Sequence, residues 1–136
     1  MITYDDFKKV EISAGKILSA EKIPDTDKLL KLSVDFGTRV QPVKEFVAPD
    51  PSLGLEVQPK LESVPDIRQI VSGISTYFPD PAVLVGKTCM FVTNLEPRTI
   101  KGHESNGMLF ALSTPDGAAF SLLEPNASIP PGTKAK

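Results

Sequence analysis

Apolar and polar residues alternate over several stretches of the chain, which is the pattern of β-strands with one buried face. The clearest stretch covers 30–36, where every second residue is apolar, and Gly37 is predicted to end this strand. An earlier alternation begins at Val10 and shifts by one position after Gly15. We interpret this shift as a β-bulge that bends the first strand.

The other apolar stretches are short and lie between turn residues, which is typical of further strands. They cover 67–74, 88–93, 108–113 and 120–123. The capping-box pair Thr3 and Asp6 predicts a short helix over 4–9. Prolines within 76–85 limit that region to a short helical turn.

The segment 38–66 has a different pattern, because prolines interrupt its apolar residues throughout. These prolines are Pro42, Pro49, Pro51, Pro59 and Pro65. A connection of this length is unusual in a compact domain, and its apolar content is too high for a disordered linker. We therefore predict an inserted arm with extended pieces, between strands 2 and 3, that packs on the rest of the fold or on a partner subunit.

Short strands, a bent first strand and a connection before the fourth strand together indicate an all-β fold. A five-stranded Greek-key barrel of the OB-fold type fits this order of elements. An SH3-like barrel would produce a similar pattern, so alternation alone leaves both open. The length of 136 residues predicts a single domain, 1–136, that includes 38–66 as an inserted arm.

The overall charge gives no sign of a nucleic-acid partner, because the net charge is −2 and the isoelectric point about 5.4. Any such binding would need a local basic patch. No apolar stretch reaches the roughly 18 residues of a membrane span, and the N-terminus lacks the basic and apolar regions of a secretion signal. We expect a cytoplasmic protein with no membrane contact.

The sequence nominates no catalytic or metal-binding group. His103 is the single histidine and Cys89 the single cysteine, and they fall in different predicted elements. One residue of each type does not make a metal site or an intrachain disulfide, and His103 has no evident nucleophile or acid as a partner. We expect no metal, no cofactor and no catalysis by this chain alone.

Four short motifs follow one another along the chain. They are Asp-Phe-Lys-Lys-Val at 6–10, Asp-Lys-Leu-Leu with Val-Asp-Phe-Gly at 27–37, Ile-Val-Ser-Gly-Ile at 70–74, and Asn-Leu-Glu-Pro-Arg with Ser-Asn-Gly-Met at 94–108. In these motifs the chain resembles the tRNA-binding domain at the C-terminus of bacterial methionyl-tRNA synthetases, which free-standing proteins and eukaryotic synthetase-associated factors share. Two features depart from the family: Ser13 stands where members often carry Arg, and 38–66 is longer than the usual connection.

The resemblance implies an OB-fold with a C-terminal β extension that binds tRNA by shape and backbone contacts. The implied partners are tRNA, the catalytic region of methionyl-tRNA synthetase and a second copy of the chain. Because the chain has more apolar strand than a small barrel needs, we expect this dimer to use the region 120–123 and the N-terminal helix with Phe7. An alternative is a free-standing chaperone-like or protein-interaction module on the same fold, which the weak basic balance and the apolar arm favour. The resemblance thus implies an accessory part of a methionine-tRNA ligase, not an enzyme by itself.

The candidate RNA-binding residues combine cations, which contact phosphates, with the polar corner of the fourth motif. They are Lys16, Lys28, Lys31, Arg68, Asn94, Arg98, Lys101, Ser105 and Met108. Each cation taken singly could equally be an ordinary solvated charge, but Arg98 and Lys101 are favoured as RNA contacts because both lie in the fourth motif. Asn94 either contacts RNA or, as we favour, locks its own loop as an Asx-turn. Ser105 and Met108 either shape a binding surface or satisfy backbone groups and fill the core.

Overall fold

The structure is a computed structural model that describes residues 1–42 and 61–136. It contains helix α1 (Tyr4–Phe7) and the strands β1 (Ile12–Lys22), β2 (Leu30–Pro42), β3 (Leu61–Ser72), β4 (Thr88–Val92), β5 (Arg98–Ile100), β6 (His103–Ser105), β7 (Met108–Leu109), β8 (Ala111–Ser113) and β9 (Phe120–Leu122). Two 3₁₀ helices, Ser75–Tyr77 and Pro81–Leu84, connect β3 to β4. The predicted all-β class is confirmed. No helix in these ranges is long and apolar enough to cross a membrane.

Five strands form one antiparallel sheet in the order β3-β2-β1-β4-β7. The sheet curls, because hydrogen bonds join β3 to the corner between β6 and β7. The Asn106 N–H donates to the Gln69 carbonyl at 2.9 Å, and the Val71 N–H donates to Ser105 Oγ at 3.0 Å. The two edges of the sheet are therefore brought together around a common interior.

The interior is filled by the side chains that the alternation in 30–36 predicts. Leu30, Leu32, Val34 and Phe36 are all buried, and the Phe36 and Phe91 rings form a T-shaped pair with 5.4 Å between their centroids. Burying each such side chain stabilises the fold by roughly 1.5–3 kcal/mol. The predicted strand and its buried face are confirmed.

The first strand has the predicted bulge, but at a different place. The register of β1 against β2 shifts between Ile17 and Ser19, not after Gly15. Gly15 has another role: an added Cβ would lie 2.5 Å from Val34 Cγ1 and 2.6 Å from Phe36 Cε1. The change of pattern at Gly15 thus reflects close packing against β2, and the prediction of a bulge at that position is wrong.

Gly37 does not end the second strand as predicted. It adopts φ +84° and donates its N–H to Asp35 Oδ1 at 2.8 Å, and the register of β2 against β3 shifts around it. A glycine with positive φ at such a shift forms a bulge, after which the strand continues.

Both ends of the predicted arm belong to a β-hairpin. Beyond Gly37, β2 runs on to Pro42, and β3 begins at Leu61 instead of at 67 as predicted. The pairs run from Thr38 opposite Pro65 to Pro42 opposite Leu61. The extended pieces expected within 38–66 are therefore present at its two ends, and the rest of the predicted arm lies outside the described residues.

The C-terminal half contains two further hairpins. The predicted strand 108–113 is divided into β7 and β8, and β8 pairs with β9, which gives the C-terminal β extension. The Phe120 ring stacks on Tyr77 at 4.5 Å, so this extension packs on the first 3₁₀ helix. At the N-terminus, Thr3 and Asp6 form the predicted capping box, and α1 ends at Phe7 instead of at 9.

The last residues tie the C-terminus to the beginning of β1. The Gly132 N–H donates to the Ala14 carbonyl at 2.7 Å, and the Ala14 N–H donates to the Thr133 carbonyl at 2.8 Å. The Ala135 N–H donates to the Ile12 carbonyl at 2.8 Å. These bonds involve the first residues of β1, Ile12 to Ala14, whereas β2 pairs with β1 from Lys16 onward. The C-terminal residues therefore lie beside the N-terminal end of β1.

Candidate functional site

A small hairpin presents two of the predicted cations. Strands β5 and β6 pair so that Arg98 lies opposite Ser105, and the turn between them consists of Lys101 and Gly102, both with positive φ. Two such residues in succession define a type I′ turn, whose twist matches that of the paired strands. Arg98 and Lys101 are exposed and have no ion pair within the described ranges.

Ser105 fastens this hairpin to the large sheet. Its side chain is buried, accepts the Val71 N–H at 3.0 Å and donates to the Gly107 carbonyl at 3.0 Å. The interpretation that Ser105 satisfies backbone groups is confirmed. Met108 is 47% exposed while its neighbour Leu109 is buried, so the interpretation that Met108 fills the core is wrong.

Asn94 connects the segment after β4 to the residues that precede β1. Its Oδ1 accepts the Glu11 N–H at 2.8 Å, and its Nδ2 donates to the Lys9 carbonyl at 2.5 Å. Both ends of the amide are thereby used in bonds to the protein. Asn94 therefore has the structural role that we favoured, but it holds the distant segment Lys9 to Glu11 in place and not its own loop.

Arg68 has its donors committed to the protein as well. Its Nε and Nη2 form a two-point ion pair with the buried Asp66 at 3.0 and 3.1 Å. Its Nη1 donates to the Thr93 carbonyl at 2.6 Å, and its guanidinium carbon lies 5.3 Å from the centre of the Phe36 ring. The arrangement joins β3 to the end of β4 and closes one end of the curled sheet.

Two lysines lie where β1 turns back into β2. Lys31 in β2 is opposite Glu21 and pairs with it at 3.6 Å, an exposed pair that contributes little to stability. Lys28 is exposed in the turn, and its carbonyl accepts the Ser75 N–H at 3.0 Å. The turn therefore rests on the first 3₁₀ helix.

The elements that carry these groups are joined through β3. Lys31 lies opposite Val71, the Val71 N–H bonds to Ser105, and Ser105 lies opposite Arg98. We call the set Lys28, Lys31, Arg98 and Lys101 the basic edge. Lys22, opposite Leu30 at the same turn, is a neighbouring cation that was not among the predicted RNA-binding residues.

Lys16 lies in a different surrounding. It lines a cleft of about 780 Å³ together with Lys87 and the segment 124–131. Lys87 is paired with Glu124 at 3.1 Å. The structure therefore gives Lys16 no contact with the basic edge.

The described residues carry no cluster of three or more histidine, cysteine or acidic side chains that could hold a metal ion. Cys89 is fully buried in β4, and burial raises the pKa of its thiol to about 11. At neutral pH it is a protonated core residue, since only the thiolate is an effective nucleophile.

Comparison with known proteins gives a consistent result. The sequence profile of a family described as a putative tRNA binding domain matches residues 55–134. The methionine--tRNA ligase of Methanoregula boonei is 42% identical over 136 residues, all of this chain and 16% of that protein. That of Thermotoga maritima is 37% identical over 133 residues, 98% of this chain and 16% of that protein. The chain thus spans about 16% of the length of these curated relatives.

Two solved structures share the fold over the whole chain. A MetRS related protein from Pyrococcus horikoshii has a TM-score of 0.75 and 32% identity, covering 100% of this chain and 98% of its own. The CsaA chaperone protein from Picrophilus torridus has a TM-score of 0.70 and 24% identity, covering 100% of both chains. The second likeness concerns the fold alone.

Proposed function

This chain belongs to the family of putative tRNA-binding domains, and from that premise we propose that it binds tRNA by shape and backbone contacts, without catalysing a reaction. The observation that carries the proposal is the basic edge, where Lys28, Lys31, Arg98 and Lys101 lie on elements joined through β3. Lysine and arginine neutralise phosphates, and structured RNA is recognised mostly through phosphate, 2′-hydroxyl and stacking contacts.

The local arrangement accounts for binding by a chain whose net charge is −2. Each exposed cation acts mainly on the phosphates nearest to it, since the Debye length is about 8 Å at physiological ionic strength. Arg98 and Lys101, both exposed at the hairpin, then contribute directly. In the same proposal Arg68, Asn94 and Ser105 act as positioning residues, because their polar groups hold the binding elements together.

We further propose that the domain serves methionyl-tRNA synthetase in the cytoplasm, either as its C-terminal domain or as a separate subunit that contacts the catalytic region. Its similarity to parts of methionine--tRNA ligases supports the first form. The match to a MetRS related protein from Pyrococcus horikoshii, which covers 98% of that chain, supports the second. Residues 1–136 would form one domain of OB-fold type, in which the order β3-β2-β1-β4-β7 is the barrel sheet.

Exposed apolar residues support the proposal of a homodimer. On α1, Tyr4 is 72% and Phe7 45% exposed, and both line a cavity that includes the C-terminal Ala135. In the β8–β9 hairpin, Leu112 is 58% exposed. A two-fold interface would cover such residues on both copies and would place two basic edges on one particle.

A salt titration tests the tRNA proposal. We expect binding to several tRNA species with similar affinity, and a steep loss of affinity as salt rises. Arg98→Ala and Lys101→Ala should each weaken binding to all of them about equally and reduce the salt slope by about one unit. Lys87→Ala, which removes a cation that lines the far cleft and pairs with Glu124, is the control.

A strong preference for one anticodon, or no binding at low salt, would contradict the proposal. The second result would leave the protein-interaction module as the better account, and the exposed side chains of α1 as its first candidate surface.

A further inference from the structure

The β5–β6 hairpin, which presents Arg98 and Lys101, forms a two-stranded sheet separate from the large one. Within the described ranges no strand ladder joins this hairpin to β3, although the two lie side by side. The position of its two cations relative to the rest of the basic edge therefore depends on individual hydrogen bonds.

Three short hydrogen bonds connect the hairpin and the corner that follows it to β3. The Asn106 N–H donates to the Gln69 carbonyl at 2.9 Å, and the Val71 N–H donates to Ser105 Oγ at 3.0 Å. The third bond is made by a side chain of β3: Gln69 Nε2 donates to the Glu104 carbonyl at 3.0 Å. Of the three, this last bond holds β6 at the point nearest to the turn.

The bond from Gln69 sets the direction in which the hairpin projects. Ser105 lies opposite Arg98 at the open end of the hairpin, and an attachment there alone would let the hairpin pivot about that end. The bond to the Glu104 carbonyl adds a second fixed point on the same strand. Lys101 depends on it most, because it lies in the turn, where a change of direction produces the largest displacement.

Gln69 also belongs to the strand ladder that carries the other cations of the basic edge. In β3 it lies opposite Ser33 of β2, and its second neighbour Val71 lies opposite Lys31. Its backbone is thus fixed relative to Lys31, while its side chain holds the hairpin with Arg98 and Lys101. One residue therefore links the two halves of the basic edge.

The stability of the fold depends little on the side-chain bond of Gln69. The bond joins two neutral groups and is exposed to solvent, so its net contribution is modest, because water can replace either partner. The backbone ladder of β3 with β2 and the buried side chain of the adjacent Ile70 do not involve the Gln69 amide. Loss of the amide should therefore loosen the hairpin without unfolding the sheet.

We infer that Gln69 is a positioning residue of the RNA-binding surface, a proposal that rests on the tRNA-binding function above. Its amide holds the hairpin in the direction at which Arg98 and Lys101 meet phosphates together with Lys31. Without the amide the hairpin samples other directions and has to be ordered when RNA binds, which lowers the affinity. The same phosphate contacts still form in the complex, so the number of counterions released stays the same.

Gln69→Met tests the inference on the full chain, because it keeps the length of the side chain and removes the donor. We expect tRNA affinity to fall about fivefold with an unchanged salt slope, whereas removal of a hairpin cation reduces that slope. NMR order parameters of the amides in 98–105 should fall, and those of β1 and β2 should not. Gln41→Met is the matched control: Gln41 Nε2 donates to Glu62 Oε1 at 3.3 Å in the same ladder of β2 and β3, at the far end from the basic edge.

A double-mutant cycle separates positioning from a direct contact or a general loss of structure. In a chain that carries Arg98→Ala and Lys101→Ala, Gln69→Met should not weaken tRNA binding further at low salt, because the hairpin no longer presents the cations that the amide positions.

Gln69→Asn, whose amide is shorter by one methylene group, should behave like Gln69→Met and provides a second, polar variant. Unchanged affinity in both variants, or an equal loss in the chain that lacks the two hairpin cations, would overturn the positioning role while tRNA binding stood. Absence of tRNA binding by the wild type would instead refute the proposed function itself.

Discussion

Arg68 and Asp66 form the most completely bonded ion pair in the part of the chain that the structure describes. Asp66 is 7% exposed, and its carboxylate receives two donors from Arg68. A further bond from Arg68 to Thr93 fixes the end of β4. An arginine that binds phosphates needs free N–H donors. The N–H donors of Arg68 instead bond to the Asp66 carboxylate and to the Thr93 carbonyl.

We therefore predict that Arg68→Ala lowers the free energy of unfolding by about 2–4 kcal/mol, because the buried Asp66 loses its partner. Urea unfolding followed by circular dichroism measures this. The double variant Asp66→Asn with Arg68→Ala should be less destabilised than the sum of the single changes, since no unpaired charge remains. Reduced tRNA affinity at unchanged stability would instead identify Arg68 as an RNA contact.

For single residues, the sequence motifs identify positions of structural importance but do not predict which groups those side chains contact. Asn94 and Ser105 lie in the motif from 94 to 108, yet their partners are remote: Lys9 is 85 residues from Asn94 and Val71 is 34 residues from Ser105. Pairings of that range depend on the folded topology. For Met108, the position in a short edge strand decides exposure, and the motif carries no information on it.

At the scale of elements, the β5–β6 hairpin combines a weak sequence pattern with a well-defined backbone. Each strand has three residues, too few for alternation to be recognised, and its turn is Lys-Gly instead of the more common Asn-Gly or Asp-Gly. By contrast, 30–36 has a long alternation that predicts its buried face directly. Strand length therefore separates the strands that the sequence predicts from those that it does not.

We predict that Gly102→Ala weakens tRNA binding although it removes no charge. Gly102 has φ +81°, where an alanine is strained by roughly 1–2 kcal/mol, so the hairpin that presents Lys101 should open more often. Hydrogen exchange of the β5 and β6 amides should accelerate, and tRNA affinity should fall several-fold. Gly73→Ala is the matched control, since an added Cβ there meets nothing within 4 Å. Unchanged exchange with unchanged affinity would show that the turn is not required.

At the scale of the whole molecule, long-range bonds hold the ends and the edges of the sheet together. The C-terminal residues pair with the start of β1, and Asn94 fastens the segment between α1 and β1. As a result α1 and the C-terminus share one side, where Phe7 and Ala135 line a common cavity. The proposed dimer would use α1 on this side together with the exposed Leu112 of the β8–β9 hairpin.

We predict a dimer whose dissociation weakens RNA binding. Phe7→Asp and Leu112→Asp place charges on exposed apolar positions and should each shift the chain toward monomer in sedimentation equilibrium, because burying an unpaired charge is costly. Neither side chain is buried, so the fold should persist. The monomeric variants should bind tRNA more weakly, since a dimer carries two binding faces and gains avidity.

Val83→Asp, at a similarly exposed apolar position on the second 3₁₀ helix, is the control and should leave both the oligomeric state and the tRNA affinity unchanged. A wild-type chain that sediments as a monomer at tens of micromolar, a range in which even weak specific dimers form, would refute this interface.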